Sequence, residues 1–220
     1  MEIAERLQLL KNGLPENVKV LAVSKLKSES VIMEAYNAGQ RIFGENRVQE
    51  LVPKYENLPK DIEWHFIGHL QANKVKYIAP FVHTVQSVDS LKLAEFLNKE
   101  AIKFRRKIRV LLQIHIALEE QKHGFSYEEL EDFLKTGAFI PFENLDISGL
   151  MGMATFTGDQ AQIRKEFKKL NSFFQHLKND YFEKNDSFNE LSIGMSDDYQ
   201  IAVEEGSTMI RIGSRLFGTR

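Results

Sequence analysis

Residues 108–116 read IRVLLQIHI, and this near-continuous apolar run is typical of a strand that is buried on both faces. Such strands belong to parallel sheets, whose neighbouring strands are joined through helices. Outward from this run, seven other short apolar runs alternate with stretches of helical period. The predicted strands cover residues 18–24, 41–45, 62–68, 81–87, 108–116, 145–153, 190–194 and 208–213.

Chain length decides between the folds that eight strand–helix units allow. The 220 residues give about 27 per unit, which suits a (β/α)₈ barrel of roughly 200 to 400 residues. An apolar stripe of Ile3, Leu7 and Leu10 predicts one additional helix before the first strand. We therefore predict an α/β fold, a single (β/α)₈ TIM barrel with an N-terminal helix, and the alternative is an open doubly wound sheet. No linker divides the chain, so residues 1–220 are expected to form one domain.

Local signals mark several helix starts. They are Ser126 with Glu129, Asp159 with Gln162, and Asp89 ahead of an apolar stripe that begins at Leu93. The segment 136–144, TGAFIPFEN, is interpreted as the connection into the sixth strand.

Composition excludes several classes of function. The chain has 29 Lys and Arg against 31 Asp and Glu, a formal net charge of −2, so no general attraction to nucleic acid or to an anionic membrane is expected. The basic run within 103–109 is interpreted as a solvated face. Without cysteine there is neither a disulfide nor a thiolate zinc site. No apolar stretch is long enough for a membrane span, and the N-terminus lacks the pattern of a signal peptide, so we expect a cytoplasmic location.

Reactive groups of a parallel barrel lie where its strands end, and the loops after strands seven and eight often bind phosphate. Polar and glycine residues follow six of the predicted strands. They are Ser24-Lys25, Gly44-Glu45-Asn46, Gly68-His69, Gln86-Ser87, Gly194-Met195-Ser196 and Arg211-Ile212-Gly213-Ser214.

Lys25 is the candidate nucleophile. It follows the apolar run VLAVS, so we expect its ammonium at the mouth of the barrel, partly desolvated. Desolvation favours the neutral amine, which can form a Schiff base with an aldehyde. The alternative is an ordinary surface lysine that opens the next helix.

The end of the chain offers a candidate anion site. Gly213, Ser214 and Ser196 supply backbone N–H groups and hydroxyls beside a helix start, although glycine and serine are also common where a strand simply ends. Arg211 shares a strand face with Gly213, and that face could be the barrel interior. A buried guanidinium needs a hydrogen-bond acceptor, which for Arg211 would be either a bound ligand or a buried carboxylate of the protein.

The other polar candidates have structural alternatives. Asn46, with Gln49 three residues later, could cap the second helix. His65 fits a core histidine, whereas His69 and His115 are candidates for substrate contacts. No HExxH pattern or third ligand accompanies the histidines, so no metal site is predicted.

The residues resemble a known family. The segments VLAVSKLK, FGENRVQEL, WHFIGHLQANK, VQSVDS, HGF, ISGLMGM and ELSIGMSDDYQIAVEEGSTMIRIGSRLFGTR occur in the order of the YggS/PROSC family of pyridoxal 5′-phosphate (PLP) homeostasis proteins. The likeness covers nearly the whole chain. It implies a single-domain barrel like the N-terminal domain of alanine racemase, with PLP bound to a lysine through a Schiff base.

The resemblance assigns roles to six residues. It implies that Lys25 is the Schiff-base lysine, that Asn46 lies near the cofactor ring and that Arg211 faces the pyridine nitrogen. Ser196, Gly213 and Ser214 would hold the phosphate. Arg47 stands where the family often has an aromatic residue, a departure that bears on loop details and on any substrate pocket but leaves the implied cofactor contacts unchanged.

The implied chemistry separates three functions. A guanidinium beside the pyridine nitrogen disfavours its protonation, and this weakens the PLP ring as the electron sink that amino-acid chemistry needs. Racemases of this fold also take a second base from another domain. We therefore expect a monomeric protein that buffers or carries PLP, or delivers it to PLP-dependent apo-enzymes, with little or no turnover. The alternatives are a racemase using Lys25 with His69 or a tyrosine, and a Schiff-base aldolase acting on a phosphorylated sugar.

Overall fold

The computed structural model describes residues 2–119 and 123–218, and its strands close into one parallel barrel in the order β1 to β8. The strands are β1 (Lys19–Val23), β2 (Ile42–Glu45), β3 (Glu63–Phe66), β4 (Thr84–Val88), β5 (Ile108–Ile114), β6 (Leu145–Gly152), β7 (Glu190–Ser192) and β8 (Met209–Ile212). Because β8 pairs with β1, the predicted barrel is confirmed and the open sheet is wrong. The assignment of the whole chain to one domain stays a prediction.

Helices follow each strand and form the outer layer. They are α1 (Ile3–Asn12), α2 (Glu29–Asn37), α3 (Val48–Asn57), α4 (Val75–Ile78), α5 (Leu91–Lys103), α6 (Tyr127–Lys135), α7 (Gln160–Asp180), α8 (Tyr199–Glu204) and α9 (Ser214–Phe217). Helix α1 precedes the barrel, as expected. In the described part of the chain, no helix has the length and apolar character needed to cross a membrane.

The predicted strand bounds differ from the observed ones by up to three residues, and one predicted helix cap was wrong. The fourth strand begins at Thr84 rather than at residue 81, because the chain is still turning after α4, where the Val82 N–H donates to the carbonyl of Ile78. Ser90, not Asp89, caps α5 by accepting a hydrogen bond from the Leu93 N–H (3.3 Å). The capping box of Ser126 and Glu129, the Asp159 cap and the connection over 136–144 are confirmed.

The main hydrophobic core lies between the strands and the helices. It includes Phe43, Trp64, Leu97 and Phe167, all essentially inaccessible to solvent. Burial at about 25 cal/mol per Å² of apolar surface is the main force that holds this layer together.

The interior of the barrel is more polar than this outer layer. At the amino ends of the strands, Lys19 pairs with Glu190, and Arg109 lies 3.7 Å from Asp146 and 3.8 Å from Glu190. Arg109 therefore belongs to a partly buried ion network, and its assignment to a solvated basic face was wrong.

Gly149 lets neighbouring strands approach closely. Its φ is +151°, and a Cβ there would lie 1.8 Å from the carbonyl oxygen of Glu190 on the adjacent strand. Only glycine satisfies both the backbone angle and the contact, so this position supports the β6–β7 pairing.

Candidate functional site

The carboxyl ends of β1, β6, β7 and β8 surround a cavity of about 390 Å³. Its volume lies within the range of small-molecule sites, about 300 to 1,000 Å³. All six predicted binding residues line this one cavity: Lys25, Asn46, Ser196, Arg211, Gly213 and Ser214.

Lys25 lies in the turn that follows β1. Its side chain is exposed, so the expected partial desolvation of the ammonium is absent. Within the described residues, no acceptor is hydrogen-bonded to Lys25 Nζ, and the amine is free to meet a ligand in the cavity. The next residue, Leu26, has φ +61°, a left-handed conformation that is unusual for a residue other than glycine.

A buried ion cluster holds the residues on both sides of Lys25. Lys54 Nζ, on α3, donates to the Ser24 carbonyl (3.0 Å) and to Glu45 Oε1 (2.7 Å), and Ser24 Oγ donates to the same carboxylate (2.6 Å). Glu50 Oε2 accepts from the Leu26 N–H (2.7 Å). Burial raises the pKa of Glu45, whereas its bonds to Lys54 and Ser24 favour the ionised form. This cluster fixes the strained turn that carries Lys25.

The end of β8 and the loop after β7 meet at a set of small polar groups. Ser196 Oγ accepts a hydrogen bond from the Gly213 N–H (3.3 Å), and the Ser196 carbonyl accepts one from Arg215 Nε (2.5 Å). Ser214 begins α9, so its N–H has no partner within that helix. Hydroxyls and N–H groups of this kind suit an oxyanion.

Asp198 stabilises the loop after β7. Its Oδ1 accepts a hydrogen bond from the Met195 N–H (2.6 Å), and burial raises the pKa of its carboxyl. The sequence patterns did not predict this role for Asp198.

Arg211 points into the barrel, as its strand period predicted. Its guanidinium donates to the Ser192 carbonyl (2.7 Å), to Ser192 Oγ (2.8 Å) and to the Gly152 carbonyl (2.8 Å). No carboxylate among the described residues forms an ion pair with it, so the salt-bridge alternative is wrong. Burial lowers the pKa of Arg211 to about 10, which still leaves the group charged at neutral pH.

A chain of hydrogen bonds runs from Arg211 along the barrel interior. Ser192 Oγ donates to Gln86 Oε1 (2.7 Å), and Gln86 Nε2 donates to His65 Nδ1 (2.8 Å). An arginine can only donate, so Ser192 must donate onward and the amide of Gln86 must turn its NH₂ group towards His65. Gln86 is therefore an interior residue, not the strand end that the sequence predicted.

Asn46 does not cap α3, the helix that follows the second strand. Helix α3 begins at Val48 with Arg47 as its N-cap residue, and no side chain caps it. Asn46 Oδ1 is buried and has no hydrogen-bond partner in the described residues. Gly68 allows the backbone of Asn46 to approach, because a Cβ there would lie 2.3 Å from the Asn46 carbonyl oxygen. A ligand in the cavity could satisfy this buried oxygen.

The histidines lie away from the cavity. His65 is a buried core residue whose Nε2 has no partner in the described part of the structure. His69 is exposed and pairs with Asp89, and His115 Nε2 lies 2.9 Å from the Glu119 carbonyl oxygen. None of the described cavity-lining residues is a histidine or a tyrosine. The exposed Arg47 does not line the cavity either.

The closed barrel, with a lysine at the end of β1 and an anion cradle after β7 and β8, belongs to the class described as alanine racemase, N-terminal domain, whose family model matches residues 1–220. Curated relatives narrow the class. The chain is 39% identical to the pyridoxal phosphate homeostasis protein of Aquifex aeolicus, over 99% of this chain and 95% of that protein. It is 41% identical to the protein of the same name from Pasteurella multocida, over 94% and 88%. The chain belongs to the family of pyridoxal phosphate homeostasis proteins.

Solved structures agree with this assignment. PipY of Synechococcus elongatus, without PLP, has a TM-score of 0.91 and 38% identity, over 99% of this chain and 100% of PipY. PipY with PLP bound has a TM-score of 0.88 and 37% identity, with the same coverage. Alanine racemase of Clostridium difficile, at 16% identity and a TM-score of 0.76 over 57% of its length, shares the fold.

Proposed function

We propose that this chain binds PLP and acts in PLP homeostasis, by buffering, carrying or delivering the cofactor with little or no turnover. The observation that carries the proposal is one cavity shared by a free amine, Lys25, and an oxyanion cradle at Ser196, Gly213 and Ser214. PLP has an aldehyde for the first and a phosphate for the second. When bound, PLP supplies a carbonyl that condenses with a primary amine.

The other cavity groups fit the same molecule. The unpartnered oxygen of Asn46 is an acceptor that a ligand could use, and Arg211 presents a fixed positive charge at the cavity floor. That charge would keep an adjacent pyridine nitrogen unprotonated, because two neighbouring cations repel each other. The curated relatives carry the name of the cofactor, and PipY has been solved with PLP bound.

Racemisation is the less favoured function. It needs an acid or base on each face of the substrate, and His69, the earlier candidate for the second base, lies outside the cavity lining. Three hydrogen bonds to backbone and hydroxyl oxygens hold the guanidinium of Arg211 in place, so its positive charge would disfavour protonation of the pyridine nitrogen of a bound cofactor. An aldolase would share Lys25 and the cradle, but it would give a colourless protein.

The proposal also covers the location of the protein, its oligomeric state and the enzymes that receive the cofactor. A cytoplasmic location is in keeping with the absence of cysteine, a monomer is proposed as the working form, and PLP-dependent apo-enzymes are the proposed recipients. Size-exclusion chromatography and transfer of PLP to an apo-enzyme would check the last two.

Borohydride trapping tests the proposed attachment residue. After PLP is added, the parent protein should show visible absorbance and a reduced adduct on the Lys25 peptide, and Lys25→Ala should lose both. Lys27→Ala is the matched control, because Lys27 lines the same cavity and this variant should keep the adduct.

Two results would contradict the proposal. The first is an unchanged adduct in Lys25→Ala. The second is rapid exchange of the Cα proton of amino acids in deuterated water, abolished by Lys25→Ala, which would favour the racemase.

A further inference from the structure

Three potential metal ligands meet at the mouth of the barrel, outside the cavity described above. His69 follows β3, Asp89 follows β4, and His123 lies in the connection after β5. We call these three residues the mouth cluster. One ligand atom from each lies within 4.8 Å of the other two.

The distances within the mouth cluster approach those of a metal site. Asp89 Oδ2 lies 3.0 Å from His69 Nδ1 and 3.9 Å from His123 Nδ1. Metal–ligand bonds of about 2.0 to 2.1 Å at tetrahedral angles place neighbouring ligand atoms about 3.3 Å apart. One pair is therefore near this spacing already, and the other needs a shift of about 0.6 Å. The two imidazole rings are stacked with their centroids 3.9 Å apart and 15° between their planes, so both exposed rings must turn away from this stacked arrangement before their Nδ1 atoms can point at one ion.

Hydrogen bonds hold the backbone next to His69 and at His123 in place. Ser87 Oγ donates to the Gly68 carbonyl (2.5 Å), next to His69, and Gln113 Nε2 donates to the His123 carbonyl (2.7 Å). The side chain of Asp89 is about nine-tenths buried, whereas the two histidines are exposed and accessible to an ion from solvent. The carboxylate of Asp89 is therefore held in place, and the two accessible imidazoles can turn towards an ion that it binds.

We propose that the mouth cluster binds a divalent transition metal, with Zn²⁺ as the ion that two histidines and one carboxylate suit best. Three protein ligands leave a fourth position for water. The bound ion ties the connection after β5 to the loops after β3 and β4. The site is independent of Lys25 and the cofactor cavity.

A second group of potential ligands serves as a comparison. Glu63, His65 and His83 also bring three ligand atoms within 4.8 Å, at the amino ends of the strands. There the Nδ1 of His65 accepts from Gln86, which places the proton of the neutral ring on Nε2 and leaves neither nitrogen ready for a metal. We expect the mouth cluster, not this group, to bind the ion.

Co²⁺ and Zn²⁺ binding to the untagged full chain test the proposal. The parent should show visible Co²⁺ absorption that Zn²⁺ displaces, and His69→Gln and His123→Gln should each weaken Zn²⁺ binding by calorimetry about tenfold or more. His176→Gln and His83→Gln are the matched controls. His176 is another exposed imidazole beside carboxylates, 3.2 Å from Asp180, and both controls should bind as the parent does.

Each other outcome overturns the inference. Absence of Co²⁺ absorption in the parent, unchanged affinity in His69→Gln and His123→Gln, or loss of binding in a control would do so. Lys25→Ala should bind Zn²⁺ normally, so failure of the metal site is distinguishable from failure of the proposed PLP function.

Discussion

His65 illustrates how the protonation of one residue is decided by its partners. Burial lowers its pKa well below the usual value of 6.5, and the positive charges of Arg109 and Lys19 act in the same direction. The neutral ring accepts from Gln86, which in turn is oriented by Ser192. The charge state of the histidine is therefore set by contacts inside the barrel, not by solvent.

We predict that stability falls as the pH drops below 6.5. In this range the unfolded chain protonates His65 and the folded chain does not, so acidification favours unfolding by up to about 1.4 kcal/mol per pH unit for this group. Urea unfolding of the parent and of His65→Gln, at a series of pH values, measures the effect. The variant should show a shallower slope, to which His83 still contributes, because burial lowers its pKa as well.

A substitution elsewhere in the core provides the control. Phe43→Leu lowers stability without removing a titratable group, so its slope against pH should equal that of the parent. An identical slope in His65→Gln and the parent would contradict the prediction.

Sequence patterns located some site residues and not others. Lys25 and Arg211 were found because strand ends and a period of two place them on the inner face and at the mouth. Gln86 was named only as a strand-end residue and Ser192 was not named, since their contact joins residues 106 positions apart and depends on the barrel being closed. The spacing of residues along the sequence cannot predict such a long-range contact.

The turn after β1 depends on helix α3. Lys54 and Glu50 lie one helical turn apart on α3 and contact Ser24 and Leu26 on either side of Lys25. The helix therefore acts as the support of the turn, and Glu45 at the end of β2 completes the contact.

We expect Lys54→Met to destabilise the protein by about 3 to 5 kcal/mol, because it leaves the buried carboxylate of Glu45 without its counter-ion. Removing both charges in Lys54→Met with Glu45→Gln should cost less than Lys54→Met alone. Urea unfolding measures both variants. Lys99→Met, at an exposed position of α5, is the control, and equal stability of Lys54→Met and this control would rule out the support role.

Element boundaries were predicted where local chemistry decides them. The capping box at Ser126 was recognisable because both of its partners lie within one turn. Asp89 was taken for a helix cap, whereas in the structure its carboxylate contacts His69, which is 20 residues earlier, and Ser90 becomes the cap. A tertiary contact of this kind competes with the local one and cannot be read from spacing.

At the scale of the barrel, the architecture could be predicted from the sequence but the polar contacts inside it could not. The number of strands and the chain length predicted its architecture, but the ion network of Lys19, Arg109 and Glu190 inside it was not predicted. Inward-facing charged residues look like exposed ones in a sequence, because both alternate with apolar neighbours.

Gly149→Ala should destabilise the fold by more than about 4 kcal/mol, since its Cβ would collide with the backbone of Glu190 and its φ would be strained. Urea unfolding tests this, and near-ultraviolet circular dichroism tests whether a poorly stable variant keeps its packing. Gly158→Ala is the control, because a Cβ at Gly158 meets no atom within 4 Å, and its stability should change by less than about 0.5 kcal/mol. A parent-like unfolding midpoint for Gly149→Ala would contradict the prediction.

The donor-only character of Arg211 has a consequence at the scale of the molecule. Every link behind it points the same way, so the polar thread through the barrel has a single polarity from the cavity to His65. A proton moving along this thread would have to leave the guanidinium of Arg211, which stays charged at neutral pH, and pass through the amide of Gln86, which is a poor proton carrier. The thread therefore orients the side chains between the cavity and His65, and it does not serve to carry protons between them.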